Sequence, residues 1–87
     1  MRAPRSALEV ELRGQVRRYL GGQVSFHELQ RWLAPRVWRP YASGDPETAR
    51  LMSAVQIRLD EYAAGYWSEE LLHESLRALM DREQSAE

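Results

Sequence analysis

The chain has 87 residues, no cysteine, 12 cationic against 13 acidic side chains, and a formal charge of −1. That length suits one domain and not two, and the lack of cysteine excludes a disulfide framework, thiolate zinc sites and cysteine nucleophiles. The near-zero charge supplies no whole-protein field toward nucleic acid or membrane, and no run approaches the roughly 18 apolar residues of a membrane span.

The charge is unevenly placed. Residues 1–40 carry eight Arg and three acids, a balance of +5, and residues 41–87 carry four Arg and ten acids, a balance of −6. Every cation is Arg and none is Lys. A high-GC genome explains that bias, and selection for bidentate Arg contacts is the alternative. The start, Met1-Arg2-Ala3-Pro4-Arg5, is basic, but the segment after it is amphipathic and not an apolar signal core, so a cytoplasmic protein is expected.

The first predicted helix opens at Ser6, where Ser6-Ala7-Leu8-Glu9 has the form of a capping box. Leu8, Leu12, Val16 and Tyr19 or Leu20 recur at helical spacing, and Glu9 and Arg13 stand at i,i+4. Gly21-Gly22 ends it. The second helix opens with another capping box, Ser25-Phe26-His27-Glu28, and presents Phe26, Leu29, Trp32 and Leu33 until Pro35 stops it. Residues 35–45 form an Arg/aromatic linker between prolines.

The third helix starts at Asp45-Pro46-Glu47, a cap, an N1 proline and an acid at the positive end of the dipole. Its stripe is Leu51, Val55, Leu59 and Tyr62, widened by Met52, Ala54, Ile57 and Ala63, so it is expected to be the most buried helix. Gly65 ends it. The fourth, capped by Ser68 with Glu69 and Glu70 in its first turn, shows Leu72, Leu76, Leu79 and Met80, with Leu71 at the edge. The fold class is therefore all-α, a four-helix bundle of two helix–turn–helix hairpins: hairpin 1 over about 6–34, linker 35–45, hairpin 2 over about 46–82, and a frayed tail 83–87.

A shift of 43 residues lays the sequence on itself. Leu8, Leu12, Val16 and Tyr19 fall on Leu51, Val55, Leu59 and Tyr62, and Gly22, Val24, Ser25, Leu29 and Leu33 fall on Gly65, Trp67, Ser68, Leu72 and Leu76. Amphipathic spacing alone aligns the leucines but not Tyr, Gly and Ser as well. Val24 and Trp67, each preceding its cap, have the position of a hydrophobic staple. A hairpin this small cannot bury its face alone, so the two are expected to close on each other about a pseudo-two-fold axis, or on another chain. Under the same shift Arg17 and Arg18 fall on Asp60 and Glu61. Those opposite charges could pair within the chain, or present complementary faces for self-association.

Few residues here carry the patterns of catalytic or metal chemistry. The turns are too short for a calcium loop of roughly 12 residues and hold no carboxylate. His27 and His73 fit no metal-ligand spacing and read as solvated surface side chains. Ser25 and Ser68 read as caps. Adjacent acids on a helix diverge, so Asp60/Glu61 and Glu69/Glu70 do not form an acid/base pair. No catalytic residue, metal ligand or cofactor is assigned, and the chain is read as non-enzymatic. The remaining candidates for partner binding are Arg17, Arg18, Trp32, Arg36, Trp38, Arg39, Tyr41, Asp60 and Glu61. Arg36, Trp38, Arg39 and Tyr41 could meet an anionic, stacking ligand such as a nucleic acid, with Arg13, Arg17 and Arg18 extending the basic surface. The other reading is cation–π packing within the bundle.

The stretch Tyr19-Leu20-Gly21-Gly22-Gln23-Val24-Ser25-Phe26-His27-Glu28-Leu29-Gln30-Arg31-Trp32-Leu33 resembles a signature of small uncharacterised helical proteins of high-GC bacteria. More loosely, it is similar to the first hairpin of colicin D-type immunity proteins, short four-helix proteins that block a toxin nuclease with an acidic face. That resemblance implies a toxin-facing surface at Asp60, Glu61, Glu69, Glu70 and Glu74. The basic first half departs from that family's acidic habit. The expected function is a small protein-interaction module, immunity- or antitoxin-like in its narrower form. Nucleic-acid binding through residues 13–41 is the alternative.

Overall fold

A computed structural model describes residues 7–37 and 46–85, with side chains up to Asp81. These residues form four helices: α1 (Ala7–Leu20), α2 (Phe26–Leu33), α3 (Pro46–Ala63) and α4 (Glu69–Ser85). The expected caps Ser6 and Asp45 lie outside the described residues. α4 continues past the expected end at residue 82, since neither glycine nor proline interrupts it there.

The ends of the helices arise from local chemistry. At α2, Ser25 Oγ accepts the Glu28 N–H at 3.1 Å, and the Glu28 carboxylate accepts the Ser25 N–H at 2.9 Å, which completes the capping box. At α4, Ser68 Oγ accepts the Leu71 N–H at 3.1 Å. The two interhelical turns use matching backbone bonds 43 residues apart. Gly21, Gly22 and Gln23 donate to the carbonyls of Arg17, Tyr19 and Arg18, and Ala64, Gly65 and Tyr66 donate to those of Asp60, Tyr62 and Glu61. Gly22 at φ 79° and Gly65 at φ 91° take the left-handed conformation that closes these turns.

Packing then joins the hairpins. Phe26, at the start of α2, meets Tyr19 at the end of α1 (ring centroids 6.3 Å) and Tyr62 at the end of α3 (4.8 Å). α1 and α3 therefore end together and run in the same sense. Both turns lie at that end of the bundle. α1 and α3 touch each other and both flanking helices, and α2 and α4 lie apart on opposite sides of them. Exchanging α1 with α3 and α2 with α4 leaves this set of neighbours unchanged.

The core is Leu12, Val16 and Tyr19 of α1, Leu29 and Leu33 of α2, Leu51, Met52, Val55 and Leu59 of α3, and Leu72, Leu76, Leu79 and Met80 of α4. Leu8, Leu20, Val24, Phe26, Trp32, Ala54 and Tyr62 pack against it, half-buried. Val24 thus sits where a staple would. Trp67 is half-buried, and its indole N–H is held by Glu61 at 3.0 Å. Four details differ from the expectations above. Ile57 is 54 % exposed, because at about 100° per residue it turns away from the stripe through Met52, Val55 and Leu59, and Ala63, which lies on that stripe, is exposed at the last residue of the helix. Thr48 and Ala49 are buried instead. Residues 34–37 form a turn, with Arg36 and Val37 donating to the Leu33 carbonyl, and it carries Val37 into the core. Arg13, read as part of a basic surface, is buried.

This packing sets the expected effect of core and glycine substitutions. Leu59→Ala, on the fully buried stripe of α3, should lower stability by about 2–5 kcal/mol in urea melts, as a cavity-forming change. Gly22→Ala and Gly65→Ala meet no atom within 4 Å, so each should destabilise through φ alone, by about 1 kcal/mol. Gly14 lies inside α1 with open space above it, and Gly14→Ala should stabilise by about 0.5–1 kcal/mol. Opposite signs at the turn and helix glycines are the expected result.

Candidate interaction surface

Three polar clusters and two charged helix ends hold the chemistry-bearing side chains. The first cluster ties α1 to α4 deep in the bundle. Arg13 Nε donates to Glu9 Oε2 at 3.0 Å, and Arg13 Nη1 donates to the Met80 carbonyl at 3.3 Å. The Arg13 side chain is 2 % exposed. On the α1 wheel Arg13 falls beside Leu12, Val16 and Leu20, so its position on the apolar stripe was readable, as was its i,i+4 acid. A guanidinium held by a carboxylate and a carbonyl inside the core is a structural tie and not a binding surface.

The second cluster joins the same two helices at the turn end. Tyr19, 3 % exposed, donates its hydroxyl to Glu69 Oε2 at 3.0 Å. His73 stacks edge-on against the Tyr19 ring at 4.8 Å, with its Nε2 3.8 Å from the same carboxylate oxygen. The expectation of a solvated His73 is corrected: the imidazole is half-buried, because Tyr19 draws Glu69 and the ring onto α1. His27 is exposed. Burial first, then the hydrogen bond and charge of Glu69, then the charge of Tyr62, hold the Tyr19 phenol well above its ordinary pKa. With its hydroxyl enclosed and committed, Tyr19 positions α4 and offers nothing to a substrate.

The third cluster carries two of the candidate binding residues. Trp32 is half-buried against the core. The Arg36 guanidinium lies over its ring, 4.7 Å from the centroid, and Arg36 Nη1 donates to the Trp32 carbonyl at 2.6 Å. These two therefore pair with each other. Arg58, which sequence reasoning passed over, similarly ties α3 to α4 through Ser75 Oγ at 2.6 Å and to its own helix through the Ala54 carbonyl. Trp38, Arg39 and Tyr41 lie outside the described residues. Among the described residues no group of three or more His, Asp or Glu is placed to hold a metal ion, and no helix is long and apolar enough to cross a membrane.

The charged helix ends behave differently. Arg17 and Arg18 are exposed in the last turn of α1, where the helix field favours cations. Among the described residues they make no ion pair, although α1 and α3 touch. Asp60 is exposed in the last turn of α3, where the field opposes an acid, and Glu61 beside it is half-buried. Gln56 donates to Asp60 at 2.8 Å and Trp67 to Glu61 at 3.0 Å. The structure thus brings Arg17, Arg18, Asp60 and Glu61 to one end of the bundle without pairing them. Tyr66 and Leu71 are exposed on the same end of the chain path.

No protein-family model, curated protein or solved structure matches the chain.

The Tyr19 environment predicts a pH response. Its raised pKa means the fold favours the neutral phenol, so that contribution is intact below the unfolded value of about 10 and is lost as pH rises above it. Thermal melts should show stability falling above about pH 10, and Tyr19→Phe should flatten the fall while costing about 0.5–1.5 kcal/mol at neutral pH.

Proposed function

We propose that this protein is a small non-enzymatic interaction module that binds another protein or a second copy of itself through its exposed charged faces. The observation that carries the reading is the placement of Arg17, Arg18 and Asp60. All three are exposed, none has an ionic partner among the described residues, and Asp60 stands against the field of its own helix. Exposed charges without an ionic partner among the described residues are available to orient a partner. The 43-residue shift that relates the two hairpins also relates these opposite charges, and matching turn bonds and helix neighbours support a true repeat.

Burial of Arg13 and the folding of Arg36 onto Trp32 weigh against nucleic-acid binding through 13–41, since both guanidinium groups are engaged inside the chain. The narrower form of the proposal is an immunity- or antitoxin-like role. It places Asp60, Glu61, Glu70 and Glu74 on the partner side, and Glu69 is already committed to Tyr19. We place the protein in the cytoplasm.

Pull-down from lysate, with and without nuclease, separates the readings. A specific protein retained after nuclease treatment, and lost with Arg17→Glu/Arg18→Glu or Asp60→Arg, is the expected result. Recovery that collapses on nuclease treatment, with steep salt dependence, would replace the proposal with nucleic-acid recognition.

A further inference from the structure

Two features of the surface make no sense for the fold alone. Gly14 sits in the middle of α1, where glycine is about 1 kcal/mol worse than alanine, yet a Cβ there would meet nothing within 4 Å and its backbone takes no positive φ. Ile57 sits in the middle of α3 and is 54 % exposed. The 43-residue shift that relates the hairpins places Gly14 on Ile57.

Both positions face outward. On α1, Val10, Gly14 and Arg18 form one row at i, i+4 and i+8, opposite the buried Leu12, Val16 and Tyr19. Val10 is 56 % exposed. On α3, Ser53, Ile57 and Glu61 form the equivalent row, opposite Met52, Val55 and Leu59. The α1 row has a gap at its centre and a cation at its C-terminal end. The α3 row has an apolar knob at its centre and an acid at its C-terminal end. Arg17 and Asp60 extend the same match on the neighbouring positions. α1 and α3 touch each other at the centre of the bundle, so their outer faces point in opposite directions. They also run in the same sense, as the shared contact of Phe26 with Tyr19 and Tyr62 requires.

From these placements we propose that the partner of this surface is a second copy of the chain, joined head to tail. The α3 face of one copy packs in parallel on the α1 face of the next. Ile57 enters the space above Gly14, where a backbone without Cβ admits close approach. Glu61 and Asp60 meet Arg18 and Arg17. Glu61 gives one oxygen to Trp67 and keeps the other, since a carboxylate accepts at both. Parallel orientation is required, because only then do knob, gap and charges fall in register together. Since the two faces lie on opposite sides and differ, the contact is heterologous, and each copy added keeps a face for the next. One helix-on-helix contact is small, so each joint is weak and the assembly depends on concentration. This inference rests on the interaction-module reading and specifies its partner.

Sedimentation of the full chain at low salt, from about 10 µM to about 1 mM, tests it over the range of weak interfaces. The mass average should rise past that of a dimer and fall back at high salt. Ile57→Glu, which blocks the α3 face, and Gly14→Trp, which blocks the α1 face, should each remain monomeric. Mixed, they should form a 1:1 dimer that grows no further, since each retains the face the other lacks. Thermal melts check that both variants fold, and exposed Arg18→Glu replaces Gly14→Trp if the tryptophan unfolds α1. A wild-type monomer across the whole range would overturn the inference. So would growth unaffected by Ile57→Glu, or blocked variants that stay monomeric when mixed. A lysate protein captured by a strictly monomeric chain would leave the wider reading standing and remove this one.

Discussion

Everything in this fold depends on one constraint: neither helical hairpin is large enough to bury its own apolar face. A hairpin of 14 and 8 helical residues, or of 18 and 17, presents a leucine-lined face with nothing behind it. The two faces close on each other. α1 and α3 become the central pair and the second helix of each hairpin flanks them. The aromatic contacts at the turn end result from that closure, since Phe26 reaches the last turns of both central helices.

The polar groups drawn inside serve the same closure. Leucines packing on leucines tolerate small slides of one helix along another. A guanidinium with a carboxylate on its own helix and a carbonyl on the last helix tolerates far less, because misplacing it leaves a buried charge unsatisfied. Arg13 with Glu9 and Met80 therefore sets the register of α1 on α4 at one level, and Tyr19 with Glu69 sets it again at the turn end. Arg58 and Ser75 do the same for α3 on α4. The aromatic–imidazole contact of Tyr19 and His73 belongs to this set of ties.

The charges and apolar groups that the interior does not use are left on the outer faces of the central pair. The core consumes one stripe of α1 and one of α3, and the opposite stripes carry the sequence features the fold leaves unexplained: an open glycine, an exposed isoleucine, and opposite charges at equivalent positions. The buried Arg13 and Tyr19 and the half-buried Arg58, by contrast, make their hydrogen bonds within the bundle. Under the 43-residue shift the core leucines coincide while Arg17 and Arg18 fall on Asp60 and Glu61, so the two outer faces carry complementary charge at these positions.

The caps, turns and leucine stripes were legible from residue order, because each depends on neighbours within about four positions in the chain. Ser25 with Glu28, the positive φ of Gly22 and Gly65, and the burial of Leu12, Val16, Leu29, Leu51, Val55, Leu59, Leu72 and Leu76 all match that reading. The candidate site was legible only as residue types. The burial of Arg13 was readable from its place on the α1 stripe, but which group on α4 receives it, and whether Arg17 and Arg18 met Asp60 and Glu61, depend on which helix lies opposite, and no local periodicity encodes that. The sequence by itself determined the four helices, the turns at Gly22 and Gly65 and most of the apolar stripes, since these arise from short-range hydrogen bonds and side-chain spacing. Only the tertiary structure decided that α1 and α3 run side by side in the same sense, and with it which charges are enclosed and which remain outside. That arrangement is set by the burial of two separate faces against each other, a contact between residues far apart in the chain.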